Sequence, residues 1–282
     1  MIKHSLILVT ILLSLNLCAQ PNTEIYLLDL EQTVSGLNLN NALNISSNPG
    51  YDNQPAFWPD GQSIIYSRTV NGQTEIARYF LNDAKTEIIT NTLQGSEYSP
   101  TPTPDRRISS IRLDTTGLQL LYSYNLKGQS KVLVDDLVIG YHAWINKSDI
   151  VSFVLGDTST MQIINTKTNE ARVVATNIGR SLHKIPGSNR FSYVDKSSKP
   201  WHIKSMDPVT EESRILVNTL EGSEDYCWMP NGFIIMGSGS KLFFWKGKGD
   251  WIEIANLVSE GISNITRVSV SPDGTKLVVA AE

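Results

Sequence analysis

The stretch Phe57-Trp58-Pro59-Asp60-Gly61 leads directly into the apolar run Ser63-Ile64-Ile65-Tyr66. Proline presets φ, aspartate accepts hydrogen bonds from nearby backbone groups, and glycine adopts a positive φ without steric cost. The run that follows is rich in β-branched and aromatic residues, which strands prefer. These residues therefore predict a tight turn that opens a β-strand.

The same pattern recurs along the chain. The clearest second copy is Val270-Ser271-Pro272-Asp273-Gly274, and degenerate copies are Thr103-Pro104-Asp105-Arg106, Trp144-Ile145-Asn146-Lys147, Ile185-Pro186-Gly187-Ser188 and Met229-Pro230-Asn231-Gly232. Anchored on positions 59, 104, 146, 186, 230 and 272, the copies are 45, 42, 40, 44 and 42 residues apart. A longer repeat, NTLQGSEY at 91–98 and NTLEGSEDY at 218–226, begins at positions 127 residues apart, which is three such units.

A period near 42 residues with several short strands in each unit is typical of a β-propeller. No stretch shows a sustained 3.6-residue apolar period, so almost no helix is expected. Six unrelated turns in a β-sandwich would not require a regular period. We therefore predict an all-β, six-bladed β-propeller of four-stranded blades, with blades at about 51–90, 97–134, 141–175, 181–217, 224–255, and 264–282 completed by 24–46.

The split last blade follows from the two ends of the chain. The final unit has residues for only two strands, whereas 24–30 and 43–46 resemble the two outer strands of other units. A blade that both termini share would close the ring and remove an exposed sheet edge. The sequence thus predicts one propeller domain over 20–282.

Two segments resemble the TolB-like, WD40-like propeller family: YDNQPAFWPDG at 51–61 and VSVSPDG at 268–274. The resemblance covers essentially the whole chain after residue 20. It implies a six-bladed propeller. It implies little about activity, because propellers include binding proteins, lyases, hydrolases and peptidase accessory domains.

The first 19 residues read as an export signal. Lys3 precedes an apolar run at 6–15, which is shorter than the roughly 20 residues that span a bilayer. Two routes stay open, namely cleavage after Ala19 and lipid attachment at Cys18. We expect an exported protein, periplasmic or secreted, with no transmembrane segment in the rest of the chain.

Composition excludes several classes of function. The chain of 282 residues has a net charge of −4 and no basic block, so no nucleic-acid partner is expected. Two cysteines exclude a disulfide-rich scaffold and a cysteine-based zinc site, and Cys227 is expected to be buried. Catalytic motifs such as Gly-x-Ser-x-Gly, a phosphate-binding loop or His-Glu-x-x-His do not occur. We therefore expect no cofactor and no metal.

The positions of two histidines within their repeats predict that both lie near the channel. His142 and His183 fall on the innermost strands of adjacent blades, one step apart in register. Their side chains should therefore point to opposite faces of their strands, which disfavours a shared metal ion. Trp58, Trp144 and Trp228 stand just before the anchors and are expected in the core between blades.

The loop into each innermost strand should line the mouth of the channel. The candidate ligand-binding residues there are Asn53, Gln54, Tyr98, Tyr141, His142, Arg180, Glu224, Asp225 and Arg267. These loops could also be polar only because they are in contact with water, without binding a ligand. The repeated Ser-Glu, at 96–97 and 223–224, lies three blades apart, so Glu97 and Glu224 should face each other, as a two-carboxylate glycosidase requires.

The sequence therefore favours an exported, non-enzymatic binding or scaffold propeller, expected to be a monomer. Its partner would be a protein, a peptide or a small polar ligand held at the channel mouth. The alternative is a carbohydrate-active lyase or hydrolase that uses the central channel, through His142 or through Glu97 and Glu224.

Overall fold

The computed structural model describes residues 21–34 and 36–282. The predicted export signal at 1–19, with cleavage after Ala19 or lipid attachment at Cys18, lies outside the described residues. Within the described part of the chain, no helix is long and apolar enough to cross a membrane. The helical content of that part is a single 3₁₀ turn at Leu257–Glu260.

The described residues form six antiparallel sheets of four strands each. The strands are β1 (Glu24–Gln32), β2 (Leu37–Asn44), β3 (Asn53–Phe57), β4 (Ser63–Val70), β5 (Gln73–Phe80), β6 (Lys85–Ile88), β7 (Gly95–Pro102), β8 (Ile108–Asp114), β9 (Gln119–Tyr124), β10 (Ser130–Val134), β11 (Ile139–Trp144), β12 (Asp149–Val154), β13 (Thr160–Asn165), β14 (Ala171–Thr176), β15 (Ile178–Lys184), β16 (Phe191–Asp195), β17 (His202–Met206), β18 (Ser213–Asn218), β19 (Tyr226–Trp228), β20 (Ile234–Ser238), β21 (Lys241–Trp245), β22 (Ile252–Asn256), β23 (Arg267–Val270) and β24 (Lys276–Ala281).

Each sheet is one blade, and the blades close into a ring. Blades 1 to 5 consist of β3–β6, β7–β10, β11–β14, β15–β18 and β19–β22, in chain order. Their first strands, together with β23 of blade 6, contact one another in sequence around the ring, and β23 returns to β3. The first strands therefore surround a common axis.

Blade 6 is built from both ends of the chain. Its strand order is β23-β24-β1-β2, so the last strand lies between β23 and the first strand. In the β1–β24 ladder Tyr26 is paired with Val279 and Glu24 with Ala281. The predicted fold class is confirmed: an all-β six-bladed propeller of four-stranded blades, closed by N- and C-terminal strands in one blade.

Four blades share one turn between their first and second strands. The fourth residue of each turn donates its N–H to the carbonyl three residues earlier and has a positive φ. These residues are Gly61 (φ 72), Arg106 (φ 60), Gly232 (φ 83) and Gly274 (φ 73). Glycine adopts this conformation without the clash that a side chain adds, which explains the recurring Pro-Asp-Gly.

The apolar core lies between neighbouring blades. Ile25 and Val278 of blade 6 pack with Ile64 and Tyr66 of blade 1, and all four are buried. Such inter-blade layers hold the sheets face to face and leave the first strands free to line the axis. Cys227 is buried in the layer next to blade 6, and this burial raises the pKa of its thiol.

Candidate functional site

The first strands enclose a central cavity of about 400 Å³ with two different ends. We call the end where these strands begin the polar end; it is lined by Gln54, Ser99, Tyr141, Arg180, Ser181, Asp225 and Arg267. We call the end where they reach the turns the turn end; it is lined by Pro102, Trp144, Lys184, Trp228 and Val270. A strand rises roughly 3.3 Å per residue, so Arg180 and Lys184 lie about 13 Å apart along β15.

Asp225 joins two arginines at the polar end. Its Oδ2 accepts from Arg180 Nη2 at 2.5 Å, and its Oδ1 accepts from Arg180 Nε at 3.1 Å. Arg267 Nη1 donates to the same Oδ1 at 3.1 Å, and Arg267 Nη2 donates to the Tyr141 hydroxyl at 3.3 Å. Four consecutive blades thus contribute to one cluster, in which the Asp225 carboxylate accepts from two guanidiniums.

The charge of Arg180 is fixed by its neighbours. Burial alone would lower the pKa of its guanidinium, but the carboxylates of Asp225 and Glu224 outweigh burial and raise it. Its side chain is 34% exposed and that of Arg267 is 16% exposed, so both remain accessible from the cavity. Charge-assisted, two-pronged bonds of this kind hold the guanidinium plane in one orientation.

Glu224 supports this cluster from behind. Its carboxylate accepts from Lys196 Nζ at 2.9 Å and from the Arg180 backbone N–H at 2.9 Å. Burial would raise the pKa of Glu224, but Lys196 and Arg180 hold it below its usual value. A Cβ on Gly179 would lie 2.5 Å from Glu224 Oε2, so a glycine is needed for this approach. Glu224 lines a second cavity, of about 300 Å³, which shares Arg180 and Asp225 with the central one.

Two strained backbone positions occur where blades 1 and 2 reach the polar end. Gln54 has φ 56 and Ser99 has φ 53, each inside a register shift of its first strand. Gln54 Oε1 accepts from the Ser99 N–H at 2.8 Å and from Ser67 Oγ at 3.0 Å. Bulges re-aim side chains, and positive φ at non-glycine residues is concentrated at functional sites.

The two channel histidines point to different neighbouring blades. His142 Nε2 is 2.7 Å from Ser109 Oγ of blade 2, whereas the His183 ring packs on Tyr226 of blade 5 with centroids 4.7 Å apart. Burial lowers the pKa of each imidazole to about 4, so both are neutral at pH 7. Among residues 21–34 and 36–282, no group of three or more His, Cys, Asp or Glu side chains could hold a metal ion.

Two other candidates stand behind the lining. Asn53 is 3% exposed, and its Nδ2 donates to Thr23 Oγ1 at 3.1 Å and to Thr266 Oγ1 at 3.3 Å. Tyr98 is half-buried, with its ring edge-on to Tyr51 at a centroid distance of 6.2 Å. Both residues therefore support the polar end and do not form its surface.

The expectation that Glu97 and Glu224 face each other across the channel is wrong. Glu97 is fully buried between blades 1 and 2, where it accepts from Thr92 Oγ1 at 2.6 Å and from the Tyr124 hydroxyl at 3.0 Å. Burial, with the nearby carboxylate of Glu75, raises the pKa of Glu97 to about 7. Its register turns the side chain into the blade interface, so it does not meet Glu224 across the axis. Of the described residues that line the central cavity, Asp225 is the one carboxylate.

Sequence reasoning missed the turn end. Trp58 is buried between blades as expected, but Trp144 and Trp228 are only half-buried and line the cavity. Lys184 occupies the corresponding position of blade 4. The repeat contained a signal for this, because Trp144, Lys184 and Trp228 each immediately precede the first residue of the turn in their blade.

Comparisons with solved structures support the fold. A TolB candidate from Agrobacterium tumefaciens matches with a TM-score of 0.68 and 10% identity, covering 92% of this chain and 98% of that one. A gluconolactonase from Xanthomonas campestris matches with a TM-score of 0.64 and 9% identity, covering 93% and 97%. An oligogalacturonate lyase in complex with manganese matches with a TM-score of 0.59 and 18% identity, covering 87% and 81%. No protein-family model matches the chain, and no curated protein matches it.

Proposed function

We propose that this chain is an exported, non-enzymatic binding propeller that recognises an anionic group of a peptide, protein or small polar ligand at the polar end. The observation that carries the proposal is the arrangement of Arg180 and Arg267 around one carboxylate, Asp225. Glu224 also contacts Arg180 Nε at 3.7 Å and pairs with Lys196 at 2.9 Å, so three cations face two carboxylates, an excess of one positive charge in a chain whose net charge is −4. Such a site attracts anions and orients them through the fixed guanidinium planes.

The surroundings support binding by preorganisation. Asp225 and Tyr141 hold the Arg267 guanidinium, and Glu224 fixes the backbone next to the Arg180 side chain. Side chains that are already ordered lose little entropy when a ligand arrives. The cavity volume of about 400 Å³ is within the range of small-molecule and peptide side-chain pockets.

A direct test uses three tetrapeptides that differ in charge: tetraglutamate, tetraglutamine and tetralysine. We expect calorimetric binding of tetraglutamate to exceed that of the other two, because the polar end has excess positive charge. The double variant Arg180→Gln with Arg267→Gln should weaken that binding by about tenfold or more, as expected for loss of charge-assisted hydrogen bonds. Arg214→Gln is the matched control, since Arg214 is 66% exposed on β18 and pairs only locally with Glu212.

Two results would contradict the proposal. One is equal binding of the acidic and neutral peptides to the wild-type protein. The other is unchanged affinity in the double variant when its melting temperature matches that of the wild type. Export is tested separately, by following the full chain and its Cys18→Ser variant in cell fractions.

The second candidate is a carbohydrate-active lyase or hydrolase in the same channel. His142 favours it, because this residue lines the cavity and its buried Nδ1 has no hydrogen-bond partner among the described residues. A pKa near 4 makes this imidazole a weak general base at pH 7, however, so binding without turnover fits better. Turnover on a panel of acidic polysaccharides that is lost in His142→Ala would favour the enzyme.

A further inference from the structure

The turn end carries one charge inside an otherwise apolar ring. The residue before the first turn residue of each blade is, in blade order, Phe57, Pro102, Trp144, Lys184, Trp228 and Val270. Five of these six residues line the central cavity, Phe57 being the buried exception. Lys184 of blade 4 therefore lies between the tryptophans of blades 3 and 5.

Both indoles are held in fixed positions. Trp144 Nε1 donates to Ser109 Oγ of blade 2 at 2.9 Å, and Trp228 Nε1 donates to Ser192 Oγ of blade 4 at 2.8 Å. Each indole N–H is thus hydrogen-bonded to the blade that precedes its own. Both tryptophans are half-buried and line the cavity, where they contribute apolar surface.

Lys184 has a different environment from the arginines at the polar end. It is half-buried, and burial lowers the pKa of its ammonium group without an opposing contribution from any described carboxylate. Arg180 and Arg267, in contrast, share Asp225. A partly dehydrated cation without an acidic partner gains most from a bound anion, because the anion replaces the hydration that burial removed.

We propose that the turn end is a second ligand site, for a small anion carried on a six-membered ring. The anionic group lies at the Lys184 ammonium, and the ring lies against the indoles of Trp144 and Trp228. Aromatic carboxylates and sugar acids share this chemistry, since both combine a carboxylate with a ring face that packs on indole. The site uses none of the residues of the polar end, so it goes beyond the function proposed above.

The test follows the indole N–H signals of ¹⁵N-labelled protein by NMR, assigned with Trp144→Phe and Trp228→Phe. Benzoate and glucuronate are the two anionic probes, and benzyl alcohol and glucose are their neutral counterparts. We expect the Trp144 and Trp228 signals to shift with at least one anion and to respond at least about tenfold more weakly to its neutral counterpart. The preferred anion then distinguishes an aromatic acid from a sugar acid.

Lys184→Met tests the charge while it keeps most of the side-chain volume. It should weaken binding of the preferred anion by about tenfold or more, whereas Lys184→Arg should retain it. Lys131→Met is the matched control, because Lys131 is exposed on β10. The double variant Arg180→Gln with Arg267→Gln should bind the same anion normally, which separates this site from the polar end.

Several outcomes would overturn the proposal. One is that neither anion shifts either indole signal at millimolar concentration. Another is that the neutral counterparts shift the signals as much as the anions do. A third is that Lys184→Met binds the preferred anion with unchanged affinity. Melting temperatures of all variants show whether the fold is retained. If Lys184→Met fails to fold, acetylation of wild-type lysines, which removes their charge, should abolish the shifts, and the bound anion should protect Lys184 from acetylation.

Discussion

At the scale of single residues, charge at the polar end depends on which groups are ionised. Asp225 lies between two guanidiniums, whereas the imidazoles of His142 and His183 are neutral at pH 7 because burial lowers their pKa to about 4. The cations of the cavity are therefore Arg180, Arg267 and Lys184. This balance of charge is the reason that we propose an anionic ligand.

Asp225→Ala should lower the free energy of unfolding by about 1–3 kcal/mol, since it leaves two neighbouring guanidiniums without their shared acceptor. Urea unfolding at low salt measures the change. Glu253→Ala is the control: its pair with Lys241 is more than 40% exposed on both sides and should cost less than about 1 kcal/mol. Equal costs for the two variants would show that the Asp225 cluster is not preorganised as described.

Glu97→Gln should change how stability depends on pH. The raised pKa means that folded Glu97 keeps a proton that the unfolded chain releases, so the wild-type residue destabilises the fold as pH rises from about 4.5 to about 7. The amide has no such titration. The free energy of unfolding of Glu97→Gln, relative to wild type, should therefore rise across this window.

Unfolding curves at several pH values between 4.5 and 8 measure this difference. Glu87→Gln, at an exposed position on β6, is the matched control and should show a smaller slope. A difference between Glu97→Gln and wild type that stays constant with pH would mean that Glu97 is ionised in the folded protein.

At the scale of elements, the first strand and its turn decide where each side chain lies. The turns place the residue before them at the turn end, and the register shifts in β3 and β7 place Gln54 and Ser99 at the polar end. A strand without such a bulge would send alternate residues strictly to opposite faces. The positions of the residues at both ends of the cavity are therefore set by local irregularities of the strands.

The turn residue with positive φ can be tested with a reciprocal pair of variants. Gly274→Ala should lower the free energy of unfolding by about 1 kcal/mol, because φ 73 is unfavourable for a residue with a Cβ. Arg106→Gly, at φ 60 in the equivalent turn of blade 2, should raise it by up to about 1 kcal/mol. Thermal and urea unfolding measure both, and shifts in the same direction would contradict the turn geometry.

At the scale of the whole molecule, one blade couples the two ends of the chain. β24 is hydrogen-bonded to β23 on one side and to β1 on the other. Because β23 also contacts β3 and β19, disruption of blade 6 reaches blades 1 and 5. The ring is thus expected to unfold as one cooperative unit.

Deletion of 276–282 should therefore remove far more structure than seven residues contain. We expect loss of the cooperative unfolding transition and fast amide exchange in β1, β2 and β23, because all three lose the central strand of their sheet. Deletion of Glu282 alone is the control and should retain the transition. A truncated chain with protected β1 amides would contradict closure through β24.

The sequence by itself determined the fold, because turns and strands are local. The Pro-Asp-Gly residues, the period near 42 and the leftover strands at both ends depend on neighbours within a few residues, which a single sequence displays. It also indicated which residues lie at the polar end of the channel, namely Gln54, Tyr141, Arg180, Asp225 and Arg267.

Only the tertiary structure decided which of these side chains meet. Arg180 and Asp225 are 45 residues apart in sequence, and their contact depends on the packing of two blades. The same packing buried Glu97, placed Asn53 behind the lining and brought Lys184, Trp144 and Trp228 to one cavity. Bulges and blade contacts fix the direction of each side chain, and neither is encoded in the local periodicity from which the fold was predicted.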